Sequence, residues 1–182
     1  TLQVGDGVNN GDIPTFFGNI INSGNVDFKP GSPQLFGGNI TGLSGTITKD
    51  GPSDLYLSGA NEGNAVVNGG QLILVSSAAT GASVAPRVGR GGVLTVNNGG
   101  TVLCQGVSAL GLNSANLPPD FVLNSGGTIR ADSGADLSVY NGTFAGGILT
   151  ASAGYTAFAL RGDYGVAAST TSYLGFFVLR SA

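Results

Sequence analysis

The sequence predicts an all-β chain: a solenoid-like stack of repeats, or else a β-sandwich or jelly roll, completed as a trimer. Three observations carry that expectation: Gly-Gly pairs recurring between apolar runs, little helical periodicity, and scarce charge. Gly supplies 33 of 182 residues and charged residues only 9%, against roughly 7% and 25% in ordinary soluble domains. Yet 41% of the chain is hydrophobic, which excludes disorder from want of apolar surface. A collagen helix is excluded as well, since the glycines keep no Gly-X-Y period and only 7 prolines occur. The length suits one compact domain.

The repeating unit is a β-branched or Leu-rich run, then Asn or Ser, then Gly-Gly, then a second apolar run. Its copies are Val66–Leu74, Val93–Leu103, Phe121–Ile129 and, more weakly, Leu137–Leu149. The Gly-Gly pairs begin at positions 69, 99, 126 and 146, spacings in the band of stacked-repeat architectures. Asn and Gly tolerate positive φ, so Asn-Gly-Gly bends the chain between strands at low steric cost. The flanking Val, Ile, Leu and Thr suit a pleated, half-buried surface. Asn-Gly is equally a hairpin signal, which keeps the sandwich open.

Three zones follow: a loop-rich N-terminal arm at 1–40, the Gly-Gly repeat region at 41–151, and an aromatic C-terminal segment at 152–182. The stretch Tyr173-Leu-Gly-Phe-Phe-Val-Leu-Arg180 reads as a strand apolar on both faces. Such a strand must be covered on both sides, by its own chain or by a second copy. This greasy end and the low charge predict self-association.

The net charge of −3 and seven scattered basic residues argue against a nucleic-acid surface. Arg87 and Arg90 lie close together and read as a solvated loop. No run approaches the ~18 apolar residues of a membrane helix. The start, Thr1-Leu-Gln-Val-Gly-Asp, lacks the features of a signal peptide, so cytoplasmic synthesis or an already removed leader is expected. Cys104 has no partner cysteine and reads as a small buried hydrophobe. With no His in the chain, imidazole bases and imidazole metal ligands are excluded.

The stretch 43–74 contains Lys49, Gly51, Leu55-Tyr-Leu-Ser-Gly-Ala-Asn61 and Val67-Asn-Gly-Gly70-Gln-Leu72. This pattern resembles the passenger-associated strand repeat of bacterial autotransporters. Glu62-Gly63-Asn64 departs from the Tyr-Thr-Gly-Gly-Thr segment usual there. The resemblance implies β-helix coils in surface-displayed or fibrous proteins, and such repeats are also similar to parts of phage tailspikes and head decoration proteins. A full passenger with its barrel would exceed 182 residues, so the leading expectation is a small virion protein. It is a homotrimeric capsid decoration (cement) protein on the outer capsid surface, bound to itself and to the major capsid protein. The alternative is a glycan-binding module of a tailspike or an autotransporter-like adhesin at a bacterial surface. A polysaccharide-cleaving β-helix is the third class.

Candidate chemistry is thin. Glycoside hydrolysis needs two facing carboxylates, and the acids Asp6, Asp12, Asp27, Asp50, Asp54, Glu62, Asp120, Asp132, Asp136 and Asp163 sit in turn-like contexts. Asp132 and Asp136 could pair by spacing. Asp6–Asp12 partly imitates a calcium loop, but Val8 and Phe17 stand where oxygen ligands belong. Arg161-Gly-Asp163, the acceptor patterns Asn39-Ile-Thr41 and Asn141-Gly-Thr143, and Gly89-Arg-Gly-Gly92 are short matches. The expectation is therefore a non-enzyme with no catalytic, cofactor or metal residues, and with neither nucleic-acid nor membrane partners.

Overall fold

The computed structural model describes residues 1–8, 15–76, 85–111, 117–132, 136–151 and 157–166, with backbone alone at 136–140 and 157–166. The described residues are all-β, without helix. An eight-stranded sheet runs in the order β1 (Leu2–Val4), β3 (Asn25–Phe28), β6 (Thr46–Lys49), β8 (Asn64–Val67), β10 (Val93–Val96), β12 (Asp120–Asn124), β14 (Asp136–Ala145), β16 (Ala157–Val166). A six-stranded sheet holds β4 (Gln34–Phe36), β7 (Leu55–Leu57), β9 (Gly70–Val75), β11 (Gly100–Gln105), β13 (Thr128–Ala131) and β15 (Ile148–Ala151). The short strands β2 (Ile20–Ile21) and β5 (Ile40–Thr41) form a third side.

Every ladder between these strands is parallel. Within each sheet the strands follow chain order, so the chain alternates between the two large sheets and lays one coil on the next. This is solenoid-like stacking. The hairpin sandwich fails because Asn-Gly-Gly corners join strands of different sheets, as between β8 and β9, and not antiparallel partners. All four repeat copies occupy such corners.

The register explains the core. In the eight-stranded sheet Val26, Ile47, Ala65, Leu94 and Phe121 stack as one inward column, and Phe28, Lys49, Val67, Val96, Leu123 and Phe144 as another. In the six-stranded sheet the columns are Gln34, Leu55, Leu72, Val102, Ile129, Leu149 and Phe36, Leu57, Leu74, Cys104, Ala131, Ala151. Because side chains alternate along a strand, each coil donates two residues per sheet to a shared interior. Burial of these aliphatic columns, worth about 25 cal/mol per Å², holds the coils together. Gly142 continues the first column without a side chain, and the Phe121 ring fills its place: a Cβ there would stand 2.5 Å from Phe121 Cε1.

The Gly126-Gly127 corner uses its two glycines differently. Gly126 has φ +77, while a Cβ on Gly127 would stand 2.5 Å from the carbonyl oxygen of Val96 in the preceding coil. At this corner the first glycine turns the chain and the second permits close stacking, whereas at Gly69-Gly70 the second does both, with φ +62 and a Cβ position 2.7 Å from the Gly51 carbonyl oxygen.

Within residues 1–40, β1, β3 and β4 extend both large sheets. Their short runs are punctuated by Gly, Pro and Asn, which hid them as strands in the sequence. The apolar segment Tyr173–Arg180 lies outside the described residues.

Candidate functional site

Two buried polar residues of the 43–74 motif stitch the coils together. Lys49 is fully buried in a column of aliphatic and aromatic residues. Its Nζ donates to the carbonyls of Asp50, Gly51 and, one coil on, Gly69 at 2.9–3.0 Å. Burial pushes its ammonium down to about 8, against the opposing pull of Asp54 and Asp50. Asn61 is also fully buried; its Oδ1 accepts from Ile40 N–H and its Nδ2 donates to the Gly59 and Arg87 carbonyls. It thereby touches the coil before and the coil after. Leu55, Leu57, Val67 and Leu72, the other large motif positions, are all interior.

Arg87 and Arg90, expected in a solvated loop, instead line the third side of the stack. Val88 between them is fully buried, and Gly89 and Gly91 take φ of +73 and +71, which lets this corner tuck under its neighbours. Arg90 pairs with Glu62, whose second carboxylate oxygen accepts from Gly42 N–H. The departure Glu62-Gly63-Asn64 from the autotransporter-like pattern thus holds an inter-coil ion pair.

A ladder of amides runs up one corner. Asn124 donates to Asn97, Asn97 to Asn68 and Asn68 to the Asp50 carboxylate, at 2.7, 2.7 and 2.8 Å. Asp50 also faces Lys29, which bridges to Asp27 at 3.3 Å.

The acids expected in turns divide. Asp6 accepts from Val8 N–H, as a turn residue does, but residues 9–14 of the calcium-like segment lie outside the described ones. Asp27, Asp120, Asp136 and Asp163 lie on strands; Asp27 and Asp120 alternate with the inward Val26, Phe28 and Phe121 and so face outward, where neighbouring coils can offer partners. Asp120, for one, accepts from Asn141 Nδ2. Asp132 accepts from Gln105 Nε2, and the Asp136 side chain is outside the described set. Arg161-Gly-Asp163 falls within β16. Among the described residues, no three His, Cys, Asp or Glu side chains gather as a metal cluster, and no helix is long and apolar enough to cross a membrane. Cys104 is fully buried, and burial pushes its thiol up to about 12.

One outward groove lies on the six-stranded sheet. Leu35, Tyr56, Ile73 and Leu103 form one outward column. Ile73 and Leu103 are covered, at 3% and 5% exposed, whereas Leu35 and Tyr56 stay partly open. Around them an open groove of about 560 Å³ is lined by Pro33, Leu35, Tyr56 and Val75, with Thr15, Gln34 and Ser58 as polar members. Sequence reading missed it, because strands separated by more than fifteen residues build it; only the outward parity of Tyr56 in Leu55-Tyr-Leu57 pointed there.

No family model, curated protein or solved structure matches this chain.

Proposed function

We propose that this chain is a non-enzymatic, surface-displayed recognition module of the autotransporter-passenger type, with a glycan as its ligand. The groove around Tyr56 carries the reading. A half-open aromatic ring beside aliphatic side chains offers a platform for the C–H face of a pyranose, and the nearby Thr15 and Ser58 hydroxyls can meet its hydroxyls. Placement of the motif positions 49–72 inside the coils supports the passenger-type scaffold. Stacked coils hold such a groove rigid, so little ordering entropy is lost on binding. Glycan-array binding of the wild-type chain and of Tyr56→Ala tests it. A wild-type signal reduced at least tenfold by the substitution is expected; a wild-type chain that binds no glycan overturns it.

A second reading, the homotrimeric capsid decoration protein, is favoured by one observation. Exposed apolar residues, Leu2, Val8, Phe16, Phe17 and Ile21, gather in the first coils, with Ile21 at 90% exposure. Apolar patches of this kind mark association surfaces. Cementing would act by mass action, through a protein that binds only the assembled shell. A trimeric molar mass in solution together with binding to capsids supports it, and a monomer at micromolar concentration counts against it.

A further inference from the structure

We infer that the cavity bounded by β1, β2, β3 and β4 is a binding site for a small, neutral aromatic molecule carrying one carbonyl acceptor. Its volume is about 230 Å³, and it is walled by Val4, Ile20, Leu55 and the rings of Phe16 and Phe36. The rings are already arranged for aromatic company: Phe16 stacks on Phe36 at 5.4 Å and Phe28 tilts against Phe36 at 5.5 Å between centroids. An apolar cavity of roughly 150 Å³ suffices for benzene, so this one has room for a substituted single ring.

The polar specification comes from Gln34. It opens an inward column whose other members are Leu55, Leu72, Val102, Ile129 and Leu149. It is 5% exposed, lines the cavity, and its Nε2 has no hydrogen-bond partner. A buried donor without an acceptor is costly, and a ligand carbonyl placed against it would remove that cost. A carboxylate is disfavoured, because the walls offer no cation to offset its desolvation. The site lies inside the coil and does not depend on the glycan reading of the Tyr56 groove.

Acetophenone, ethylbenzene and benzoate separate the contributions. Titrated into the intact chain and followed by methyl and side-chain amide NMR, acetophenone should bind about fivefold tighter than ethylbenzene, and benzoate should not bind. Both neutral probes should shift the Gln34 amide protons by ring current, but only acetophenone should add the downfield shift of a hydrogen bond. In Gln34→Met, which removes the unpaired donor at similar volume, the preference should reverse, ethylbenzene binding tighter because the acetophenone carbonyl is then buried without a partner. The wild-type downfield shift reads the same contact with no variant at all. The inference is overturned if neither neutral probe binds up to its solubility, or if both bind the wild type equally. It is equally overturned if the acetophenone preference survives in Gln34→Met.

Discussion

Lys49 sits where its column otherwise holds Phe28, Val67, Val96, Leu123 and Phe144, and it survives there on three backbone carbonyls. Its folded-state value near 8 lies below the ordinary 10.5, so between those values the unfolded chain holds more protons. Stability should therefore rise from about pH 8 to about pH 9, by roughly 1 kcal/mol, and then level off, because the buried Cys104 thiol, raised from 9.0 to about 12, gives the opposite slope above 9. Urea midpoints across that range measure the rise, and Lys49→Met should flatten it. Asn61 acts oppositely, as a neutral group whose three bonds close a corner. Asn61→Ala strands the Ile40 N–H and two carbonyls, and should cost about 2–4 kcal/mol in chemical denaturation. Cutting only the side-chain donors with Asn61→Asp should cost comparably, because the carboxylate would face the Gly59 and Arg87 carbonyls.

The element at the next scale is the corner. Its amide ladder is polarised: every Asn donates toward the preceding coil, and the chain of dipoles ends on the Asp50 carboxylate. Such chains reinforce one another. Asn97→Asp removes the donor to Asn68 and sets two acceptors face to face, so it should destabilise more than Asn97→Ala, whose cost should be about 1 kcal/mol. Thermal unfolding of the two variants at low and high salt checks the order. The corner also explains what sequence reading could and could not see. Asn68, Asn97 and Asn124 announced themselves because Gly-Gly follows each within two residues. Asp50-Gly-Pro performs the same turn, with Gly51 at φ +80, but with a different vocabulary, so that coil was visible only through the strand-repeat resemblance. Separations of 18, 29 and 27 residues along the ladder look irregular in one dimension. They do so because coils differ in loop length while their inward strands keep register. The Tyr56 groove and the Gln34 cavity stayed hidden for a related reason: each depends on which residues of separate coils share a column or a mouth.

At the scale of the molecule, each inward column repeats the same chemistry from coil to coil, and each coil touches mainly its neighbours. Val96 and Leu123 are register partners, as are Asn97 and Asn124 along the amide ladder. Excision of residues 97–123, joining Val96 to Asn124, should thus leave a shorter protein that still unfolds cooperatively. Circular dichroism and a single urea transition would show it, whereas loss of strand signal would contradict the equivalence of the coils. Pairing in phase turns length into a modular quantity. A lineage could lengthen or trim such a rod by whole turns, carrying its lateral surface nearer to or farther from an anchor, without redesigning a single packing contact within the turns it retains.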